Sequence, residues 1–239
     1  MVVRRAYSEG ESSLGESPFW PAAALFTSAV LYADLPTRFI FGTGGGVFSV
    51  VRWVVPTLTL LVFATFVVIR PRSPLVRALD LEADTLHITR RRLSIATIAI
   101  VSAANAASIG LLIHLLINGA SANASPLLRA AVHMWVVNVL LFALWYWQLD
   151  GGGPIARPTC APAELDFLYP QQTEPVLMEA GWRPLFLDYL YVSFTNAAAF
   201  SPTDTLPLSR WAKMLMLVQS AISLALAVMV VARAVNILG

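Results

Sequence analysis

Apolar residues gather along this chain into long runs separated by polar breaks, and the lengths of those runs predict its elements. A helix needs about 20 mostly apolar residues to cross the hydrocarbon core of a bilayer. Five stretches approach that requirement. "SPFWPAAALFTSAVLYA" (17–33) is short and carries Pro21 near its start. "VVRWVVPTLTLLVFATFVVI" (50–69) is a fuller span, with Arg52 at its end and Pro56 placed to kink it. "LSIATIAIVSAANAASIGLLIHLLI" (93–117) and "LLRAAVHMWVVNVLLFALWYWQL" (127–149) are joined by the short polar "NGASANASP", which predicts an antiparallel hairpin. "WAKMLMLVQSAISLALAVMVVARAV" (211–235) is long enough to span with some tilt.

Within the third run, Ser102, Ala106 and Gly110 recur four apart, flanked by Ala103/Ala107 and Ala104/Ser108. Small residues at that spacing let helix backbones approach closely in lipid. The "WYW" at 145–147 predicts an interfacial aromatic belt. Two polar linkers interrupt the runs. Residues 70–92 hold six arginines, and residues 150–183 are rich in Gly and Pro with an acidic balance. The second is long for a connection without structure of its own.

The segment "RPLFLDYLYVSFTNAAAF" (183–200) is different in kind. Pro184 suits a first helical turn, and the apolar run from Leu185 to Ala198 makes roughly four turns. That covers about two thirds of a bilayer core. The following "SPTDTLPLS" stops it, because Pro202 and Pro207 each remove a donor and clash with the preceding turn. Half-helix, irregular polar stretch, then full span is the outline of a re-entrant loop. Irregular backbone survives at that depth only where protein covers it or water reaches it.

Composition agrees with a membrane protein. The 239 residues are 57% hydrophobic and only 13% charged, against roughly 25% charged in soluble domains, and mean hydropathy is +0.69. The predicted fold is an all-α integral membrane bundle of about five transmembrane helices plus one re-entrant half-helix, with the lipid bilayer as its main partner. A tail (1–16), N-terminal transmembrane helices (17–125) and a C-terminal module (126–239) divide the chain. The tail has no apolar core of the signal-peptide kind. A net charge of +2 gives no footprint for nucleic acid. The lone Cys160 excludes an intramolecular disulfide or a cysteine-based zinc site.

The succession span, linker, short helix, "FTNAAAFSPTDTLPLSRWAKMLMLVQS", span resembles the pore module of tetrameric potassium channels and related two-helix ion-channel domains, over about residues 127–236. That family reads approximately F-T-T-x-T-T-V-G-Y-G-D-x-x-P with a basic residue before the inner helix. Phe194, Thr195, Asp204 and Pro207 match it without gaps, and Arg210 and Lys213 take the basic place. The resemblance implies a homo-oligomer, a tetramer if channel-like, in the cytoplasmic membrane. The filter itself departs. Potassium filters aim backbone carbonyls from T-V-G-Y-G at the ion, and the glycines permit the necessary φ > 0. Here Ala199, Phe200, Ser201, Pro202 and Thr203 stand at those places, and proline holds φ near −65°. A potassium-selective filter of the standard form is excluded.

Two readings stay open. In one, Thr195, Asn196, Ser201, Pro202, Thr203 and Asp204 form the pore loop, and a ring of their side chains gives weak cation preference. In the other, Asp204 and Ser201 only cap and turn the loop, and the chain is a non-conducting structural or regulatory membrane protein that keeps pore-like packing. His114 and His133 sit at mirrored positions about the hairpin turn. Intramembrane ionisable groups are candidates for function by default, but two histidines make a weak metal case. Interhelical hydrogen bonds with Asn105 or Asn138 are the expected role. Gln219, Ser220 and Ser223 are expected to bond between helices. "DGGGP" (150–154) lacks the ending of a phosphate loop, and Ser193 has no base arranged beside it. No catalytic residue, cofactor or metal is expected. Charge and resemblance disagree on orientation: placing 70–92 in the cytoplasm makes the re-entrant segment open inward, whereas in the potassium-channel family it opens outward.

Overall fold

The computed structural model describes residues 19–34, 57, 83–117, 124–157, 164–176, 182–199 and 204–238. Among the described residues, five α-helices form: α1 (Phe19–Asp34), α2 (Ala83–Ile117), α3 (Ala124–Leu149), α4 (Phe186–Ala199) and α5 (Arg210–Leu238). Among the described residues three stretches are long and apolar enough to cross a membrane: Arg91–His114 in α2, Leu128–Gly152 beginning in α3, and Arg210–Ala232 in α5. The expected span 50–69 lies outside the described residues, apart from position 57. α1 has 16 residues, about 24 Å at the helical rise, and α4 has 14.

α2 begins ten residues before the apolar run at Leu93 and takes in the last of the Arg-rich linker. No Pro or Gly interrupts residues 83–92, so nothing in that stretch breaks the helix. α3 is the central element and packs against α1, α2, α4 and α5. α2 and α3 run antiparallel, with Trp145 Nε1 donating to Ser102 Oγ at 3.1 Å near one end and Asn105 reaching the Met134 carbonyl further along. α5 also runs antiparallel to α3, through Tyr146–Gln219 and Asn138–Ser223.

The linker after α3 is folded where it is described. A 3-10 turn (Asp150–Gly152) leads to strand β1 (Phe167–Leu168) and a second 3-10 turn (Pro170–Gln172). β1 pairs antiparallel with β2 (Leu206–Pro207), Phe167 opposite Pro207 and Leu168 opposite Leu206. The described residues are therefore mostly helical with one short two-stranded ladder, not purely α. Phe167 packs on Tyr146 at 5.1 Å between centroids, and Tyr169 lies 5.6 Å from Tyr189 and 5.7 Å from Trp182. This cap alters the expected aromatic belt: Tyr146 and Trp147 are buried, and only Trp145 of the "WYW" is half-exposed.

Two hydrophobic clusters fill the bundle. One joins Leu25, Ile98, Phe142, Tyr146 and Trp147 to Phe167, Tyr169 and Tyr189 at the linker end. The other joins Tyr32, Val101, Leu112, Met134 and Leu226 towards the opposite end. The polarity of the helices is inverted relative to a water-soluble bundle. α2, α3 and α5 bury Ser94, Thr97, Asn105, Ser108, Asn138, Gln219 and Ser223, while α5 exposes Trp211, Met214, Leu217, Leu224, Val228 and Val231. Of the three rows of small residues in α2, Ala106 and Gly110 face outward with Ala103 and Ala107, and Ser108 is buried. A Cβ built on Gly110 would meet nothing within 4 Å.

Candidate functional site

α4 is a short amphipathic helix whose two faces differ in an unusual way. Phe186, Tyr189, Val192, Ser193, Asn196 and Ala197 are buried, at the three- and four-residue spacing of one helical face. Leu187, Tyr191, Phe194 and Ala198 are exposed. The hydrogen-bonding side chains Ser193 and Asn196 thus point into the bundle and an apolar surface points out. On the outer side, Trp135, Val139, Leu187, Leu190, Tyr191 and Phe194 line an open apolar groove of about 460 Å³ between α3 and α4.

Gln219 is the hub of the inner face. Fully buried on α5, it accepts at Oε1 from Tyr146 Oη (2.6 Å) and Asn196 Nδ2 (2.9 Å). Its Nε2 donates to the Ser193 carbonyl (2.9 Å) and Oγ (2.7 Å). Ser193 Oγ donates in turn to the Val139 carbonyl at 2.6 Å. Asn196 Nδ2 also reaches the Met216 carbonyl at 3.0 Å, and its Oδ1 accepts from Ser220 Oγ at 3.1 Å. Deeper in the bundle Asn138 Nδ2 donates to Ser223 Oγ at 3.3 Å. Every polar atom of Gln219 and Asn196 has a partner, so the network holds α3, α4 and α5 together without leaving an orphaned group.

A second constellation fixes where α4 begins. Asp150, with 0% of its surface exposed, accepts at Oδ1 from the backbone N–H of Asp166 (2.7 Å) and Phe167 (3.2 Å). At Oδ2 it accepts from Tyr189 Oη and faces Arg157 Nε at 3.4 Å. Arg157 also donates to the carbonyls of Asp150, Pro184 and Trp147, and its guanidinium lies 4.7 Å from the centre of the Tyr189 ring. One buried carboxylate therefore ties the end of α3, the linker strand and the first turn of α4. The turn that allows this is "DGGGP". Gly151, Gly152 and Gly153 all have positive φ, and a Cβ on Gly153 would lie 2.9 Å from the Gln148 carbonyl oxygen. Leu185, the residue just before α4, donates its N–H to Asp188 Oδ2 at 2.7 Å. That is the reciprocal half of a capping box.

Above these groups sits Tyr169, buried, with its hydroxyl lacking a partner among the described residues. Burial raises its pKa well above the ordinary tyrosine value, and the Asp150, Asp188 and Asp204 carboxylates push the same way against Arg157.

The residues singled out in the sequence fall in different places. Thr195 bonds back to the carbonyls of Tyr191 (2.9 Å) and Val192 (3.1 Å) in its own helix. Asn196 belongs to the buried network. Ser201, Pro202 and Thr203 lie outside the described residues. Asp204 is exposed just before β2. Ser209 Oγ accepts from Ala212 N–H at 3.1 Å and caps α5. Gln219 and Asn138 bond between helices. His114 is exposed in the last turn of α2, whereas His133 lies on α3 with Nδ1 3.6 Å from Asp34 Oδ2 on α1. Neither asparagine expected as its partner bonds to it: Asn105 bonds Met134, and Asn138 bonds Ser223. Among the described residues no three His, Cys, Asp or Glu side chains gather as a metal site.

Sequence reasoning missed Asp150, Arg157, Tyr189 and Tyr146. The available signal was an Asp at the end of a span, directly before three glycines. Comparison with known proteins finds no matching family model, no similar curated protein and no similar solved structure.

Proposed function

We propose that this chain is a multi-pass membrane protein whose C-terminal half is a pore-loop module, and that the loop at 200–205 forms a weakly selective cation passage when copies assemble around an axis. The observation carrying this reading is that the segment 186–206 returns to the end of α3 from which it leaves. Tyr189, in the first turn of α4, bonds Asp150. Leu206 pairs with Leu168 beside Phe167, whose N–H bonds the same carboxylate. From Tyr189 to its end at Ala199, α4 rises about 15 Å away from Asp150, so the chain goes in and comes back. The negative pole of the α4 dipole then faces the tip, which favours a cation there. The inverted polarity of α2, α4 and α5 supports a bilayer around them, because polar side chains in lipid turn to one another.

The mouth of this loop lies at the arginine-rich end. Arg91 Nε comes within 3.5 Å of the position of a Cβ on Gly153, so the Arg-bearing part of α2 lies beside the linker turn. Cytoplasmic loops carry the excess of Lys and Arg, which supports a mouth on the cytoplasmic side of the cytoplasmic membrane, inverted relative to potassium channels. Membrane-impermeant maleimide tests this with Ile155→Cys, an exposed site, in a Cys160→Ser background. Labelling in intact cells, before lysis, refutes the orientation.

Asn196 favours a second reading, a non-conducting scaffold, since its amide is spent on Met216, Gln219 and Ser220. Ion flux from liposomes decides between the two. The pore reading expects cation flux that weakens in Asp204→Asn and Thr203→Ala. No flux in any salt, with monomeric protein in detergent, refutes it and leaves the scaffold.

A further inference from the structure

The apolar groove between α3 and α4 has no role in either constellation. Trp135 and Leu140 of α3 and Leu187, Leu190, Tyr191 and Phe194 of α4 line it. All its α3 residues lie inside the membrane-length stretch Leu128–Gly152, so lipid tails are its natural surroundings. Its size limits what can fill it. A helix is about 10–12 Å across and rises about 5.4 Å per turn, so it occupies roughly 400–600 Å³ per turn. From Leu187 to Phe194 the groove follows about two turns of α4, yet its volume is about 460 Å³. A second helix laid along it would stand mostly outside. A single acyl chain is far thinner and fits within it.

We propose that the groove holds one acyl chain of an anionic phospholipid whose phosphate pairs with Arg183. Arg183 is exposed and lies four residues before Leu187. Arg157 donates to the Pro184 carbonyl, which keeps Arg183 at the linker end of α4, so a phosphate there leaves its acyl chain level with Leu187. The surrounding surface has the matching sign. Of the charges that the helices carry at this end, Arg91 and Arg92 of α2 and Arg210 and Lys213 of α5 are exposed. Asp150 is taken up by Arg157, and Asp188 Oδ2 by the Leu185 N–H. The exposed acids Glu164, Glu174 and Asp204 belong to the linker and the loop, beyond the helix ends. Basic residues beside the hydrocarbon boundary attract anionic headgroups. Trp20, 49% exposed at the start of α1, and Trp211, 73% exposed at the start of α5, mark the same end as the interface. Such a site rests on reading the chain as a membrane protein and needs no conduction.

The full chain reconstituted into phosphatidylcholine vesicles tests it. The vesicles carry a varied fraction of either phosphatidylglycerol or phosphatidylcholine with brominated acyl chains, and bromine quenches tryptophan on contact. Quenching of Trp135 is read as the difference between the native protein and Trp135→Phe, whose remaining tryptophans report general enrichment of either lipid. The brominated fraction that half-quenches Trp135 is expected to be about fivefold lower for phosphatidylglycerol, beyond that general enrichment, the factor that one cation contributes near an anionic surface. Arg183→Gln, a surface substitution, is expected to abolish the preference. Equal fractions for the two lipids mean ordinary bulk contact and overturn the site. Quenching by neither means that protein, such as a second copy, covers the groove, and overturns it too. So does a preference that survives undiminished in Arg183→Gln. A chain that does not enter the vesicles refutes the membrane reading, and the site with it.

Discussion

Removing the carboxylate of Asp150 is the most informative perturbation of the α4 anchor. Its four partners are the Asp166 and Phe167 amides, the Tyr189 hydroxyl and Arg157, and the Arg157 side chain is only 8% exposed. Asp150→Ala leaves a buried cation without its counter-charge, a change that costs about 3–5 kcal/mol. Asp150→Asn keeps an oxygen for the amides but not the charge, so the loss is smaller, roughly 2 kcal/mol. Tyr189→Phe removes one charge-assisted bond, about 1.5 kcal/mol. Because the groups touch, the Asp150→Asn/Tyr189→Phe double variant should fall short of the sum by about 1 kcal/mol. Denaturant unfolding in micelles, followed by tryptophan fluorescence, measures all four. Limited proteolysis reports whether 150–183 comes loose. If Asp150→Ala unfolds within about 0.5 kcal/mol of the native protein with its linker still resistant, the anchor is not what holds α4.

Five further variants have expected outcomes. Gly153→Ala should destabilise by more than about 1 kcal/mol, because φ is 97° and the new methyl meets the Gln148 carbonyl at 2.9 Å. Gly110→Ala, with open space around it, should be neutral or stabilising by up to about 1 kcal/mol; thermal unfolding compares the two. Gln219→Leu should cost about 2 kcal/mol, at about 0.6 kcal/mol for each interhelical bond in a membrane helix bundle, with Tyr146→Phe costing about one such bond in the same unfolding assay. Tyr169 predicts an alkaline limit. Its folded pKa is raised, so its contribution is whole below the unfolded tyrosine value, about 10, and falls as pH climbs beyond it. Tyr169→Phe should flatten that decline in an alkaline unfolding titration.

The helices were legible because run length is a local property. The end of α3 at Leu149 and the stop of α4 near Ala199 follow from the apolar runs and from Gly and Pro at their borders. The half-length of α4 was readable for the same reason. The anchor was not, since Asp150 acquires its role from groups 16, 17 and 39 residues away, and pairings at that range leave no periodicity. The linker looked unstructured because its order rests on single aromatics, Phe167, Tyr169 and Trp182, inserted at helix ends. Asn196 was read as a lining residue from its motif position. Helical phase would have grouped it with Ser193 and Tyr189 on the face that turns inward.

Mechanically, the segment from α4 to β2 is a strut with both ends bolted to one post. Asp150 holds the start of α4 and β1, and β1 holds β2. A load on the linker is therefore shared by the start of α4 and by β2. Tension between α4 and α5 has a different seat, the two side-chain amides of Gln219 and Asn196. Sliding of α5 against α4 must break the bonds of both.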